Sequence, residues 1–233
     1  MPETPEQASY MLRGRRKGRP LRTGKTALMQ TLLPRIKIDL DQKLDLVKLF
    51  PDKKEIWLEI GFGGGEHLAW QAKENPNVGM IGCEAYINGV ASMLDHIHKD
   101  TIENIRIFDN DARMVLDALP DASINRSFIL FPDPWPKNRH ANRRFIGPDN
   151  LPKLSRVMKQ GAELRVASDD PTLQEWMAEH LRSCPDFIPA PDTDHGMRKT
   201  RPNDWPATRY EIKELAKKRP NWKGPEYYLF LKK

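Results

Sequence analysis

From about residue 40 onward, short apolar runs alternate with longer segments whose apolar positions recur at helical spacing. Residues 55–60, 78–83, 105–108, 124–131 and 163–167 are the short runs, and each predicts a strand. Before, between and after them, residues 42–50, 66–74, 87–99, 113–119, 150–158 and 171–181 predict helices, the last with Pro171 in its first turn. A final run, residues 227–231, predicts a strand with no helix behind it, free to enter the sheet antiparallel. Strict alternation of this kind builds βαβ units, and hence an α/β fold: a mostly parallel sheet covered by helices on both faces. No internal repeat interrupts the pattern.

The segment before this pattern is different in kind. Residues 1–34 are polar and punctuated by Pro and Gly, with room for a short helix around residues 25–33. The chain carries a net charge of +6, yet residues 1–38 hold nine basic residues against two acidic ones, and 29 basic and 30 acidic residues remain for the rest. The division predicted is a basic arm over 1–38 and one folded domain over 39–233. A block of like charge either stays solvated or grips phosphates. The string Arg22-Thr23-Gly24-Lys25-Thr26 is not a nucleotide-triphosphate loop, because Arg19 stands where the first glycine would be needed and no apolar strand precedes it.

Composition narrows the class further. A hydrophobic share of 39%, well spread, suits a globular chain, and no run is long enough to span a bilayer. The first residues lack the apolar core of a signal peptide, which predicts a cytoplasmic protein. Cys83 and Cys184 have no partner spacing for a disulfide framework or a zinc site, so two reduced, buried thiols and no metal are expected. Monomer and homodimer both remain open.

The clearest local motif closes the first strand: Glu59-Ile60-Gly61-Phe62-Gly63-Gly64-Gly65-Glu66. Ligands of open α/β sheets bind beyond such strand ends, where glycine lets the backbone turn tightly and approach closely. A dinucleotide-binding G-x-G-x-x-G would place Glu66 at its third glycine, an acidic group facing a pyrophosphate. The alternative E-x-G-x-G-x-G fits Glu59, Gly61, Gly63 and Gly65, and it resembles the first motif of class I S-adenosylmethionine methyltransferases. Their ligand carries a sulfonium and an ammonium, beside which acidic groups are useful. Glu84 ends the second strand at a distance suited to ribose hydroxyls. Asp111, with Asn110 beside it, follows the third strand, where a carboxylate can accept from an adenine amine. Each acid also has a structural alternative: Glu59 as partner of a basic group, Asp111 as a helix N-cap.

After the fourth strand comes Pro132-Asp133-Pro134-Trp135-Pro136-Lys137-Asn138-Arg139-His140-Ala141-Asn142-Arg143-Arg144. A surface loop stiffened by proline explains the prolines, but not a carboxylate fixed between two of them at a strand end. A rigid acid, a flat Trp and a basic run suit a nucleobase and its phosphates. This string resembles the signature of the bacterial tRNA (guanine-N7)-methyltransferase family. The similarity extends from the basic arm to the C-terminus, through Ala167-Ser168-Asp169 and Thr208-Arg209-Tyr210-Glu211. Amino-methyltransferases with [DNS]-P-P-[FYW] at this strand are disfavoured by the Trp-Pro-Lys continuation.

The resemblance implies a single Rossmann-like class I methyltransferase domain, with a seven-stranded, mostly parallel sheet whose last strand is antiparallel. It implies transfer of a methyl group from S-adenosylmethionine to N7 of a guanine in tRNA, in the variable loop. Glu59, Gly61, Gly63, Gly65, Glu84, Asn110, Asp111 and Asp133 fall to the cofactor, with Asp133 also catalytic. Lys137, Asp169, Thr208, Arg209, Tyr210 and Glu211 fall to the RNA, joined by Arg139, Arg143 and Arg144 of the basic run. The chain departs from the commoner family text after Glu211, where it runs IKELAKKRPNWKGPEYY. Guanine N7 carries no proton, so no strong general base is needed; His140 is therefore read as a surface, phosphate or stacking residue. A non-catalytic RNA-binding module on the same scaffold should lack the glycine loop, Glu84 or Asp133, and this chain has all three.

Overall fold

A computed structural model describes residues 14–40, 43–212 and 222–233. The chain forms two compact units, one up to Pro120 and one from Asp121.

In the first unit, β1 (Glu55–Ile60), β2 (Val78–Cys83) and β3 (Ile105–Phe108) lie in the order β3-β2-β1, all parallel. Every residue of β2 is buried, as expected of a strand covered on both faces. Helices α4 (Glu66–Glu74), α5 (Ile87–Asp100) and α6 (Ala112–Ala118) follow β1, β2 and β3, so all three βα steps stand where the periodicity put them. Of the helix predicted over 42–50, only α3 (Leu46–Leu49) is formed, N-capped by Asp45, which accepts from the Lys48 amide at 3.1 Å; residues 41 and 42 lie outside the described part.

Residues 1–13 of the arm lie outside the described part; the remainder carries α1 (Thr23–Thr31) and α2 (Leu33–Ile36) and is bonded to this first unit. Asn88 accepts from the Gly18 amide at 2.8 Å and donates to the Arg19 carbonyl at 2.7 Å. The Ile87 amide donates to the Arg16 carbonyl, and Lys37 pairs with Asp109 at 2.8 Å. The last two-thirds of the arm is thus tied to the start of α5 and the end of β3, while Arg15, Lys17, Arg19 and Arg22 keep exposed side chains.

In the second unit, β4 (Ile124–Leu130) and β5 (Met158–Ser168) are parallel, joined through α7 (Leu151–Val157). Helix α8 (Pro171–Ser183) follows, capped by Asp170, which accepts from the Leu173 amide. The final strand β8 (Glu226–Lys232) enters antiparallel beside β5, as expected. The expected total of seven strands is corrected to eight among the described residues, because β6 (Phe187–Pro189) and β7 (Met197–Arg198) also pair antiparallel with β8. Three and two residues long, they are too short to show a period-two pattern; they exist because β8 presents a further edge to be paired. The short α9 (Arg209–Ile212) completes the described elements.

Candidate active site

Among the cofactor candidates of the first unit, Glu84 is hydrogen-bonded to the glycine loop, while Glu59, Asn110 and Asp111 bond to His67, Arg16 and Arg113. Gly61, Gly63 and Gly65 all have positive φ (73°, 56° and 85°), a region costly for residues with a Cβ. Gly65 is packed on Met93, which an added Cβ would strike. At Gly61 and Gly63 an added Cβ would meet no protein atom within 4 Å, so the loop presents bare backbone on its open side. That is the surface a close-lying ligand requires, and it fits S-adenosylmethionine.

Glu84 fastens the loop to the end of β2. Its Oε2 accepts from the Gly63 amide at 2.7 Å and its Oε1 from the Tyr86 amide at 2.8 Å. Each carboxylate oxygen has a second lone pair, so the group can still receive hydroxyl donors. Glu59 is 2% exposed, and its Oε2 lies 2.7 Å from Nδ1 of His67 on α4. Asp111 N-caps α6, accepting from the Arg113 amide at 3.0 Å, and its carboxylate also takes the Arg113 guanidinium. Both structural alternatives raised by the sequence are therefore realised, beside whatever ligand role each acid has. Asn110 accepts from Arg16 Nη1 at 3.1 Å, which brings the basic arm to the proposed adenine edge. Cys83 is buried next to this group, and burial with Asp111 and Glu84 nearby pushes its thiol far up; the second thiol, Cys184, is only half-buried.

In the second unit, the proline loop leaves β4 through two residues with positive φ, Phe131 (50°) and Trp135 (43°). Asp133, between them, is exposed. Arg144 holds the backbone that carries it: Nε donates to the Pro134 carbonyl at 3.2 Å and Nη2 to the Trp135 carbonyl at 3.1 Å. Its guanidinium lies 4.7 Å from the Trp176 ring centroid, and the residue is only 5% exposed. Burial lowers the proton affinity of this guanidinium, and Asp170 works in the opposite sense. Arg143 lies over the Trp135 ring at 4.9 Å, and His140 meets the same ring edge-on at 5.9 Å. Lys137 and Arg139 are exposed on a 3-10 turn spanning Asn138–Arg143 and the residue before it. Of the four basic residues assigned to RNA here, three offer charge outward or half-outward and Arg144 is spent within the fold.

Asp169 follows β5 and is 9% exposed. The flanking residues hold it: Ser168 Oγ accepts from the Asp170 amide, and Gln174 donates to the Ser168 carbonyl. The Thr208–Glu211 stretch is a capping box. The Thr208 amide donates to Glu211 Oε2 at 2.7 Å, and Thr208 Oγ1 accepts from the Glu211 amide at 3.2 Å. The side chains of Arg209 and Tyr210, and residues 213–221, lie outside the described part. Sequence reasoning missed Tyr227, whose hydroxyl donates to Glu211 Oε1 at 2.6 Å and whose ring meets Phe131 edge-on at 6.5 Å. Burial and Glu211 push the Tyr227 hydroxyl well above its ordinary range, so it stays a donor. It joins the 208–211 stretch to the root of the proline loop. The S/T-x-x-E spacing would have shown the capping box; nothing local would have shown Tyr227.

A family model described as "Putative methyltransferase" matches residues 53–224. The chain is 49% identical over 212 residues to the tRNA (guanine-N(7)-)-methyltransferase of Paramagnetospirillum magneticum, covering 89% of this chain and 88% of that one. It is 44% identical to the protein of the same name from Rhodospirillum rubrum, covering 99% and 90%. Among solved structures, the 16S rRNA methyltransferase KamB superposes with a TM-score of 0.59 over 83% of this chain and 96% of that one. At 15% identity that likeness shows a shared methyltransferase fold.

Proposed function

Because the chain belongs to the tRNA (guanine-N7)-methyltransferase family, we propose that it methylates N7 of a guanine in the variable loop of tRNA, in the cytoplasm, with S-adenosylmethionine as donor. The observation that supports this most directly is Asp133, an exposed carboxylate on a loop whose backbone is clamped by a buried arginine. When bound, S-adenosylmethionine supplies an electrophilic methyl group to the in-plane N7 lone pair, leaving a thioether and a positively charged purine, with no proton moved.

Without a proton to move, the task of the side chains is to orient and to stabilise charge. Glu59 takes the ligand's ammonium, Glu84 its ribose hydroxyls, and Asn110 with Asp111 its adenine edge. Asp133 fixes the guanine and stabilises the charge that develops on it. Lys137, Arg139 and Arg143 meet phosphates; Asp169 and the 208–211 stretch contact the RNA around the target. The test is to incubate the protein with methyl-labelled cofactor and unmodified tRNA, digest, and map the labelled nucleoside. The expected product is 7-methylguanosine in the variable loop; label on any other nucleoside, or none, overturns the reading.

Glu84→Ala removes the acceptor of two loop amides and of the ribose hydroxyls. Cofactor affinity should fall by about 2–4 kcal/mol, while tRNA affinity stays near wild type. Calorimetry showing unchanged cofactor affinity would assign Glu84 to loop structure alone.

The arm is best tested by substitution, because truncation would also remove the bonds from Arg16, Gly18 and Arg19 to the first unit. Replacing Lys17, Arg19 and Arg22 by Ala leaves those backbone bonds in place. If all three meet phosphates, the slope of log affinity against log salt should shrink by about 2–3, at roughly 0.7–0.9 per contact. Identical slopes for variant and wild type would make this stretch a solvated surface.

A further inference from the structure

We infer that His67, held in one tautomer by Gln71 and Asn75, positions the Glu59 carboxylate for the cofactor's ammonium group; this rests on the assignment of Glu59 given above. Glu59 is the last residue but one of β1, and His67 lies in the first turn of α4, across the glycine loop. Both are almost wholly buried, as is Gln71 one turn further along α4. A buried carboxylate is costly to keep ionised unless something donates to it.

The direction of each hydrogen bond follows from its neighbour. Asn75 Nδ2 donates to the Gln71 carbonyl at 2.9 Å and reaches Gln71 Oε1 at 3.4 Å. With Oε1 turned to Asn75, Gln71 presents its amide nitrogen to His67 Nε2, 3.2 Å away. An amide nitrogen only donates, so His67 Nε2 is the acceptor and the ring proton sits on Nδ1. His67 Nδ1 then donates to Glu59 Oε2 at 2.7 Å. The imidazole thus donates through Nδ1, with Glu59 Oε2 anchored and Oε1 the atom we assign to the ammonium. Removing the donor leaves the carboxylate free to rotate away, which weakens its hold on a cation.

The test separates the amino-acid part of the cofactor from the rest. S-adenosylhomocysteine carries the ammonium; 5′-methylthioadenosine shares its adenine, ribose and thioether but lacks the amino-acid group. Both are titrated calorimetrically into the full-length wild type and into Glu59→Gln, His67→Leu, His67→Asn and Gln71→Leu. Leu and Asn have nearly the same size, and only Asn can place a donor where Nδ1 was. His67→Leu should weaken S-adenosylhomocysteine about ten-fold and leave 5′-methylthioadenosine within about two-fold. His67→Asn should recover most of that loss, and Gln71→Leu should show a smaller loss with the same selectivity. Equal S-adenosylhomocysteine affinities for the Leu and Asn variants, or equal losses for both ligands, would overturn the inference; if the position-67 variants do not fold, Gln71→Leu decides it on the same criterion. Glu59→Gln separates the two levels. Selective loss there without any at His67 or Gln71 sinks only the positioning role, whereas no selective loss at Glu59 sinks the ammonium assignment and the inference with it.

Discussion

Asp133→Asn should slow methyl transfer by about a hundred-fold or more, the size of effect seen when a group aimed at developing charge is lost. Asn keeps the shape of the side chain and one carbonyl acceptor, but it removes the negative charge that the methylated purine would face. Because Asp133 is exposed, the change should cost little stability. Cofactor affinity should fall by much less than turnover, since Glu59, Glu84 and Asp111 carry most of that binding in the proposal. Single-turnover measurements at saturating cofactor and tRNA isolate the chemical step. Turnover within a few-fold of wild type would remove Asp133 from the reaction and leave it as a loop residue.

The second large effect is expected at Arg144. Replacing it by Met keeps length and apolar packing on Trp176, but strands the Pro134 and Trp135 carbonyls without their donors. Loss of two bonds from a buried cation should cost about 2–4 kcal/mol, and thermal unfolding should begin roughly 5–15 °C lower. Turnover should fall even below that temperature, because the backbone carrying Asp133 is no longer held. Arg144→Lys should not rescue, since one ammonium cannot reproduce a planar fork spanning two carbonyls. Were Arg144 instead a phosphate contact, as its place in the basic run suggests, Arg144→Met would leave stability unchanged and flatten the salt dependence of tRNA binding. Thermal melts and a salt series therefore distinguish the two roles.

Arg144 also shows where sequence reading stops. Within the run Asn142-Arg143-Arg144, adjacent arginines look alike, and both read as RNA contacts. Only the turn of the chain after the 3-10 segment decides that one guanidinium lies on the Trp135 face and the other beneath the loop. The same limit explains β6 and β7, whose few residues carry no period of their own and are strands only because β8 lies beside them. The helix predicted over 42–50 shrank to four residues, because its apolar positions are used in loops as well: Leu44 and Phe50 are buried on either side of α3.

What the sequence determined by itself is everything carried by a local period or a local backbone demand. The apolar runs of β1 to β5 and the amphipathic helices between them specify an α/β chain, since burial on two faces or one leaves that periodicity behind. Positive φ at Gly61, Gly63 and Gly65 is written as glycine, and β8 is legible as a strand, whereas its antiparallel pairing with β5 is decided by the fold. The tertiary structure alone decided which polar groups meet. Glu59 with His67, Asn110 with Arg16, Glu211 with Tyr227 and Arg144 with two loop carbonyls are 8, 94, 16 and about 10 positions apart. A hydrogen bond between such groups depends on where the chain returns in space, and no short-range pattern of side chains records that return.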